Sequence, residues 1–410
     1  MAGTLRRVAM VTMHSSPSAS PGTGDSGGMN VAVLAMAAEL AGRGVEVDLL
    51  TRATGEPRIA DLRDGVRLYE LRAGPTGPIE KDRLFEVADE FGEAVAELTD
   101  RSRPRYDVIH AHYWLSGLAI LPVALELGIP LVQSFHTIAA MKNRSLALGQ
   151  TAESEQRVRT ERYLASQASA IVAGSAAEAT ALIDELRAPP DRVWVIPPGV
   201  DIRMFSPERA DAAGARLRAG LSIEPGRPIL AVVGRMQPLK DQRLAIRTLA
   251  ELHALRGWSP VLVIAGEPTP GDGSYAASLA AIADQLGILG EVRFTGALQR
   301  EDLADLLAAA TLTLVPSRSE TFGLVALESA ASGTPVIASR VGGLVESVAE
   351  GRSGYLVDSR DPRVWARTAA ELLDDAARLE RLSASARDHA EGFTWGATAT
   401  ALLGVYAGLP

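Results

Sequence analysis

Short β-branched runs that alternate with alanine-rich, amphipathic stretches constrain this chain more than anything else in it. The runs lie at residues 8–13, 45–51, 66–71, 108–111, 131–134, 170–173 and 193–196, with helical stretches such as 30–43 and 82–99 between several of them. The rhythm pauses at Pro197-Pro198-Gly199-Val200-Asp201, passes a polar helix with a weak apolar stripe, and restarts at Ile229-Leu230-Ala231-Val232-Val233-Gly234. Further runs follow at 261–265, 292–295, 312–315, 336–338 and 355–357. A strand that is apolar throughout must be covered on both faces, which strand–helix–strand alternation achieves with a parallel sheet. The expected fold class is therefore α/β, with two doubly wound domains covering residues 1–200 and 201–394. A last helix at about 395–410, after Phe393-Thr394-Trp395-Gly396, is expected to pack back on the first domain. Such sheets bind ligands beyond the carboxyl ends of their strands, so the cleft between the domains is the expected site.

Composition narrows the chemistry. The chain has 410 residues, more than one ordinary core needs, and its 47% hydrophobic and 22% charged residues suit a soluble globular protein. A net charge of −9 argues against a nucleic-acid partner but leaves room for a local basic pocket. The absence of cysteine excludes disulfides, thiolate metal sites and cysteine nucleophiles. The six histidines form no His-x-x-x-His pair. The run at 8–13 is too short to span a membrane and ends in His14-Ser15-Ser16 without a cleavage-type region, so it reads as a strand. A cytoplasmic protein without a membrane partner is expected.

Three segments carry chemistry. Pro21-Gly22-Thr23-Gly24-Asp25-Ser26-Gly27-Gly28-Met29-Asn30 joins the first strand to a helix. Bare N–H groups at the positive end of that helix suit a phosphate, and Gly28 matters most because a side chain there would hold an anion off the backbone. The plainer reading is a surface loop whose glycines only permit tight turning. In the second half, Glu320 follows the run at 312–315 and Glu328 lies two turns into the next helix, past Gly323, Leu324 and Val325 at its N-terminus. Those N–H groups suit phosphate oxygens, Glu328 a ribose and Glu320 a sugar hydroxyl, against the plainer reading of a helix-start carboxylate and a solvated glutamate. In Gly234-Arg235-Met236-Gln237-Pro238-Leu239-Lys240, two cations stand at a strand exit where they would neutralise charge on a departing nucleotide, against the plainer reading of a loop pair solvated or bridged to surface carboxylates.

Together these segments resemble the retaining glycosyltransferases of family 4, whose GT-B fold sets two Rossmann-like domains face to face. Gly234–Lys240 matches that family's Gly-Arg-x-x-x-x-Lys segment, Glu320 and Glu328 its Glu-x7-Glu pair, and Val341-Gly342-Gly343-Leu344 its following turn. Within the family, Met13-His14-Ser15-Ser16-Pro17, residues 21–31, His112-Tyr113-Trp114-Leu115-Ser116-Gly117 and His136-Thr137 resemble a particular group of members. These move N-acetylglucosamine from UDP-N-acetylglucosamine to 1D-myo-inositol 3-phosphate, the first step of mycothiol biosynthesis. The resemblance implies that Lys81, Tyr113, Thr137 and Arg157 hold an acceptor phosphate, with His14 and Asp25, Ser26, Gly27, Gly28, Met29 and Asn30 bordering the acceptor ring. It further implies that Gly28, Arg235 and Lys240 meet the donor diphosphate, Leu298 the uracil, Glu328 the ribose and Glu320 the sugar, with His136 beside the anomeric carbon. The chain departs from the group at Gln133-Ser134-Phe135, around Arg157, at Gly174-Ser175 in place of Asn-Thr, and in the uracil-facing loop, with Leu298 where an arginine can occur. No Asp-x-Asp motif occurs, so no metal is expected in donor binding, with a structural magnesium left open. The resembling enzymes imply a homodimer. Rival readings are a transferase acting on a sugar phosphate, a UDP-sugar epimerase, and a UDP-sugar-binding module without turnover.

Overall fold

The computed structural model describes residues 5–19, 22, 24–146, 150–268 and 273–409, so Pro21 and Thr23 of the glycine-rich stretch lie outside the described residues. The first half of the chain supplies β1 (Arg7–Val11), β2 (Glu46–Arg52), β3 (Arg58–Arg63), β4 (Val66–Leu71), β5 (Val108–His112), β6 (Leu131–Ser134), β7 (Ala170–Ala173) and β8 (Val193–Val195). They form one sheet in the order β3-β4-β2-β1-β5-β6-β7-β8. β1 is buried along its whole length and runs parallel to both neighbours, with Val8 level with Val47 and Val108. Helices cover both faces, as the apolar runs require.

One edge departs from the expected all-parallel sheet. β3 pairs antiparallel with β4. Its sequence, RIADLR, is almost entirely exposed, so neither face leaves the apolar signature by which the other strands are read. The expected helix at 82–99 is likewise two elements, a 3-10 segment Lys81–Val87 and an α-helix Ala88–Arg101.

The second half supplies β9 (Ile229–Val233), β10 (Val261–Ala265), β11 (Val292–Gly296), β12 (Leu312–Val315), β13 (Val336–Ser339) and β14 (Gly354–Val357). Their order is β11-β10-β9-β12-β13-β14, all parallel. In each sheet the winding direction reverses once, between β1 and β5 and between β9 and β12. Those reversal points open the crevices in which α/β sheets hold ligands.

The chain crosses between the halves twice. It leaves the first sheet after β8, and it returns near Phe393 to lay the helix Trp395–Ala407 on that sheet's outer layer. Trp395, Ala399, Leu402, Val405 and Tyr406 are buried there with Val8, Met10, Val33 and Leu40. Thr394 caps this helix, its Oγ1 accepting the Ala397 N–H at 3.1 Å. The two crossings touch: the Val200 N–H donates to the Phe393 carbonyl at 2.9 Å, and Val200 and Thr394 form a parallel bridge.

Candidate functional site

A cavity of about 400 Å³ lies between the carboxyl ends of the two sheets. Every residue given a binding or catalytic role from the sequence lines it except Arg157. The loop after β1 brings His14 and Asp25, and the helix Gly28–Ala41 begins there; the loops after β5 and β6 bring Tyr113, His136 and Thr137. From the other half, Arg235 and Lys240 follow β9, Leu298 follows β11, and Glu320 follows β12.

The glycine-rich segment is held in shape by its own side chains. Asn30, only 1% exposed, accepts the Gly27 N–H at 3.1 Å and donates to Ser15 Oγ at 2.9 Å and to the Ser16 carbonyl at 2.8 Å. Ser26 Oγ donates to the Ala19 carbonyl. These two side chains therefore shape the loop from within. Met29 packs into the apolar layers on either side. A Cβ on Gly28 would sit 3.1 Å from Leu324 Cδ1, so the bare backbone here also lets the opposite half approach.

The cations on the cavity wall are paired with carboxylates. Lys240 Nζ lies 2.5 Å from Glu320 Oε2, and Arg300 lies 2.6 Å from the buried Glu328. Lys142 pairs with Glu153. Asp25 serves two cations from opposite halves, Lys81 at 3.0 Å and Arg235 at 3.3 Å. Burial alone would raise the Asp25 pKa, but Lys81 and Arg235 outweigh it and hold the carboxyl below its usual range. An anionic ligand must therefore compete with these carboxylates for the cations.

Arg157 stands behind the wall. It is 3% exposed and donates to Glu161 at 2.7 Å and to Thr137 Oγ1 and carbonyl at 3.1 and 3.0 Å; Glu153 lies 2.9 Å away. Its guanidinium carbon and Lys81 Nζ are each 5.0 Å from the centre of the Tyr113 ring, within cation–π range. Burial opposes the charge, but Tyr113, Glu161 and Glu153 together keep its pKa above the ordinary value.

Two residues at the site hold backbone conformations that L side chains rarely adopt. Tyr113 has φ 75° and His136 φ 59°. Such strain persists only where the surroundings enforce it, and it concentrates at functional sites. His136 is fixed from two sides: its carbonyl accepts the Thr321 hydroxyl at 2.5 Å, and its Nε2 lies 2.9 Å from His112 Nδ1. Burial lowers its pKa to about 4, so the ring is neutral near neutrality. His14 stacks obliquely on Tyr113 at 4.3 Å and is also held neutral, by burial first and then by the surrounding cations.

The helix Leu324–Ala331 points its N-terminus at the cavity, with Gly323 as cap. The turn after β13 explains why its sequence is small. A Cβ at Gly342 or Gly343 would lie 2.1 Å from the Glu320 or Thr321 carbonyl oxygen, and the Gly343 N–H donates to Glu320 O. The two glycines thus let this turn support the backbone that carries Glu320.

Sequence reasoning missed Arg300, Thr321 and Glu178. Thr321 joins the halves, since its carbonyl also accepts the Ser175 hydroxyl at 2.7 Å. Glu178, 2% exposed, accepts the Gly174 N–H through Oε2 at 2.7 Å, and its buried Oε1 has no hydrogen-bond partner among the described residues. Burial pushes its pKa up to about 7. The available signal was Ser175 three residues before Glu178, a helix-capping pattern that the structure contains.

Comparison with known proteins places this geometry. Residues 27–199 match the model of the glycosyl transferase 4-like domain, and residues 215–389 that of glycosyl transferases group 1. The D-inositol 3-phosphate glycosyltransferase of Stackebrandtia nassauensis is 43% identical over 407 residues, covering 98% of this chain and 91% of its own. That of Corynebacterium efficiens is 41% identical, covering 98% and 95%. Among solved structures, sucrose-phosphate synthase from Thermosynechococcus elongatus superposes with a TM-score of 0.88 at 29% identity, over 98% of both chains. Anabaena HepE, solved in complex with UDP-glucose, shares the fold with a TM-score of 0.77 at 20% identity, over 97% of this chain and 98% of its own. With two facing α/β domains, a cation-lined cleft and full-length likeness of this degree, the chain is a GT-B glycosyltransferase and belongs to the D-inositol 3-phosphate glycosyltransferase family.

Proposed function

We propose that the chain transfers N-acetylglucosamine from UDP-N-acetylglucosamine to 1D-myo-inositol 3-phosphate with retention of configuration. The observation that carries this reading is the shared carboxylate: Lys81 and Arg235, from opposite halves, meet on Asp25 within one cleft. Two neighbouring cation sites suit a phosphomonoester on one side and a diphosphate on the other. In this reading Lys81, Tyr113 and Thr137 hold the acceptor phosphate, with Arg157 orienting Tyr113 and Thr137 from behind. His14 and residues 25–30 border the acceptor ring. Gly28, Arg235, Lys240 and the N–H groups of Gly323, Leu324 and Val325 meet the donor diphosphate. Leu298 borders the uracil, Glu328 the ribose and Glu320 the sugar.

The bond between the anomeric carbon and the β-phosphate oxygen breaks, and the acceptor hydroxyl bonds that carbon on the same face. Its proton passes to a β-phosphate oxygen of the departing UDP. Arg235 and Lys240 take up the charge that builds on UDP, and neutral His136 adds no positive charge beside the electron-poor carbon. No protein carboxylate acts as nucleophile and no metal enters the donor site in this reading, so activity is expected to persist in a chelator. A homodimer in the cytoplasm completes the proposal; light scattering of the purified protein checks the assembly state.

The test is UDP release from UDP-N-acetylglucosamine with 1D-myo-inositol 3-phosphate, with free myo-inositol, and with no acceptor. Release only with the phosphorylated cyclitol supports the proposal. The likeness to sucrose-phosphate synthase favours one second reading, a sugar phosphate as acceptor. Release with that class alone would replace the first reading.

A further inference from the structure

Four of the six histidines lie in or behind the cleft, yet the reading above uses only His14 and His136. His110 and His112 alternate on β5 and so face the same side of the sheet. Both are fully buried, and their rings stack at 4.2 Å. His110 is satisfied on both nitrogens, Nδ1 lying 2.6 Å from the Tyr406 hydroxyl and Nε2 2.9 Å from Ser134 Oγ. His112 is satisfied on one: Nδ1 lies 2.9 Å from His136 Nε2, and its buried Nε2 has no hydrogen-bond partner among the described residues.

That asymmetry fixes the protons. Two neutral imidazoles facing each other share one hydrogen, so one ring donates and the other accepts. If His136 donated from Nε2, His112 would carry its own hydrogen on Nε2, leaving a buried N–H with nothing to meet. If His112 donates from Nδ1, its Nε2 is a bare lone pair, and buried unpaired acceptors are tolerated better than buried unpaired donors. His136 then accepts at Nε2 and carries its hydrogen on Nδ1. Burial keeps both rings neutral. His136 lines the cavity, and with Nε2 engaged by His112, Nδ1 is the nitrogen left for a ligand.

We propose that His112 is a positioning residue for the transfer reaction: it donates to His136 Nε2 and locks that ring as the Nδ1–H tautomer, a neutral hydrogen-bond donor toward the donor sugar. The inference rests on the placement of His136 beside the donor given above. It assigns no direct contact between His112 and substrate.

The first experiment reads the tautomer without turnover. ¹⁵N-histidine spectra of the protein with UDP bound should show His136 with a protonated Nδ1 and an unprotonated Nε2; the reverse pattern overturns the proposal. This outcome does not depend on which acceptor the enzyme uses, so failure of the acceptor assignment and failure of this inference are distinguishable. The second experiment compares His112→Phe, which keeps a ring and removes the donor, with His112→Asn, whose amide N–H can stand near the lost Nδ1–H. His112→Phe should lower kcat by up to about 10²-fold with little change in donor KM, as for a misoriented catalytic group. His112→Asn should recover at least about a tenth of the wild-type kcat, well above the Phe variant. Equal kcat in the two variants, with UDP binding intact in both, would sink the idea. If His112→Phe fails to fold, the ¹⁵N spectrum of His112→Asn decides, because His136 must keep its Nδ1–H there.

Discussion

At the scale of single residues, burial sets protonation and so writes a pH dependence into stability. Glu178, held to about 7, keeps a proton that the unfolded chain has already released above ~4.3. The native state binds more protons in that window, so stability falls as the pH rises through it. Replacing Glu178 with Gln removes that slope, and thermal unfolding between about pH 5 and pH 8 should fall less in the variant than in the wild type. The histidines act in the opposite direction. His136 at about 4 and His110 at about 3 stay neutral where unfolded histidines gain protons, so their contribution is lost as the pH drops below ~6.5. Arg157 gives a second residue-scale test. Its removal leaves Glu161 buried without its partner, so Arg157→Ala should cost about 3–5 kcal/mol of stability besides weakening the acceptor. Arg157→Ala/Glu161→Gln should restore most of that stability in denaturant unfolding while acceptor binding, followed by calorimetry, stays weak.

At the scale of elements, the carboxyl ends of the strands place the chemistry and small residues behind them make room for it. The Gly342-Gly343 turn supports the backbone of Glu320 and Thr321 at a separation that no side chain permits. Gly343→Ala should therefore push that backbone away and weaken UDP-sugar binding at least about tenfold, with the unfolding midpoint moving only a few degrees. Titration calorimetry with UDP and with UDP-N-acetylglucosamine reads the effect. The same scale explains what the sequence made legible. Strands such as β1 and β9 are apolar throughout because both faces are covered, so they stand out in the bare sequence. β3 is covered on neither face and left no such signal. The glycine-rich loop and the Glu320–Glu328 pair were legible as motifs because a few neighbouring residues carry them. Arg300 and Thr321 were not, because each acquires its role from a partner far along the chain, Glu328 for one and His136 for the other.

At the scale of the whole molecule, the halves are joined across the cleft by a few polar contacts. Asp25 pairs with Arg235, Thr321 bonds His136 and Ser175, and Glu346 accepts the N–H groups of Ala176 and Ala177 at 3.0 and 3.3 Å. Asp25→Asn should leave Lys81 and Arg235 facing each other uncompensated. Scattering from the ligand-free variant should then give a larger radius of gyration at low salt, shrinking as salt is added. UDP should bind it about two- to fivefold more tightly, because Arg235 no longer gives up a partly exposed ion pair to meet the diphosphate. The two chain crossings set how that opening proceeds. Because Val200 and Thr394 run side by side and are bonded to each other, they behave as one double-stranded strap at one margin of the cleft. Two separate tethers would hold the halves at two corners and resist every rotation alike. One narrow strap resists sliding and twisting but bends, so the halves should swing like the covers of a book about a spine at residues 200 and 394. A single proteolytic cut in either crossing would leave the other half of the spine bonded in place.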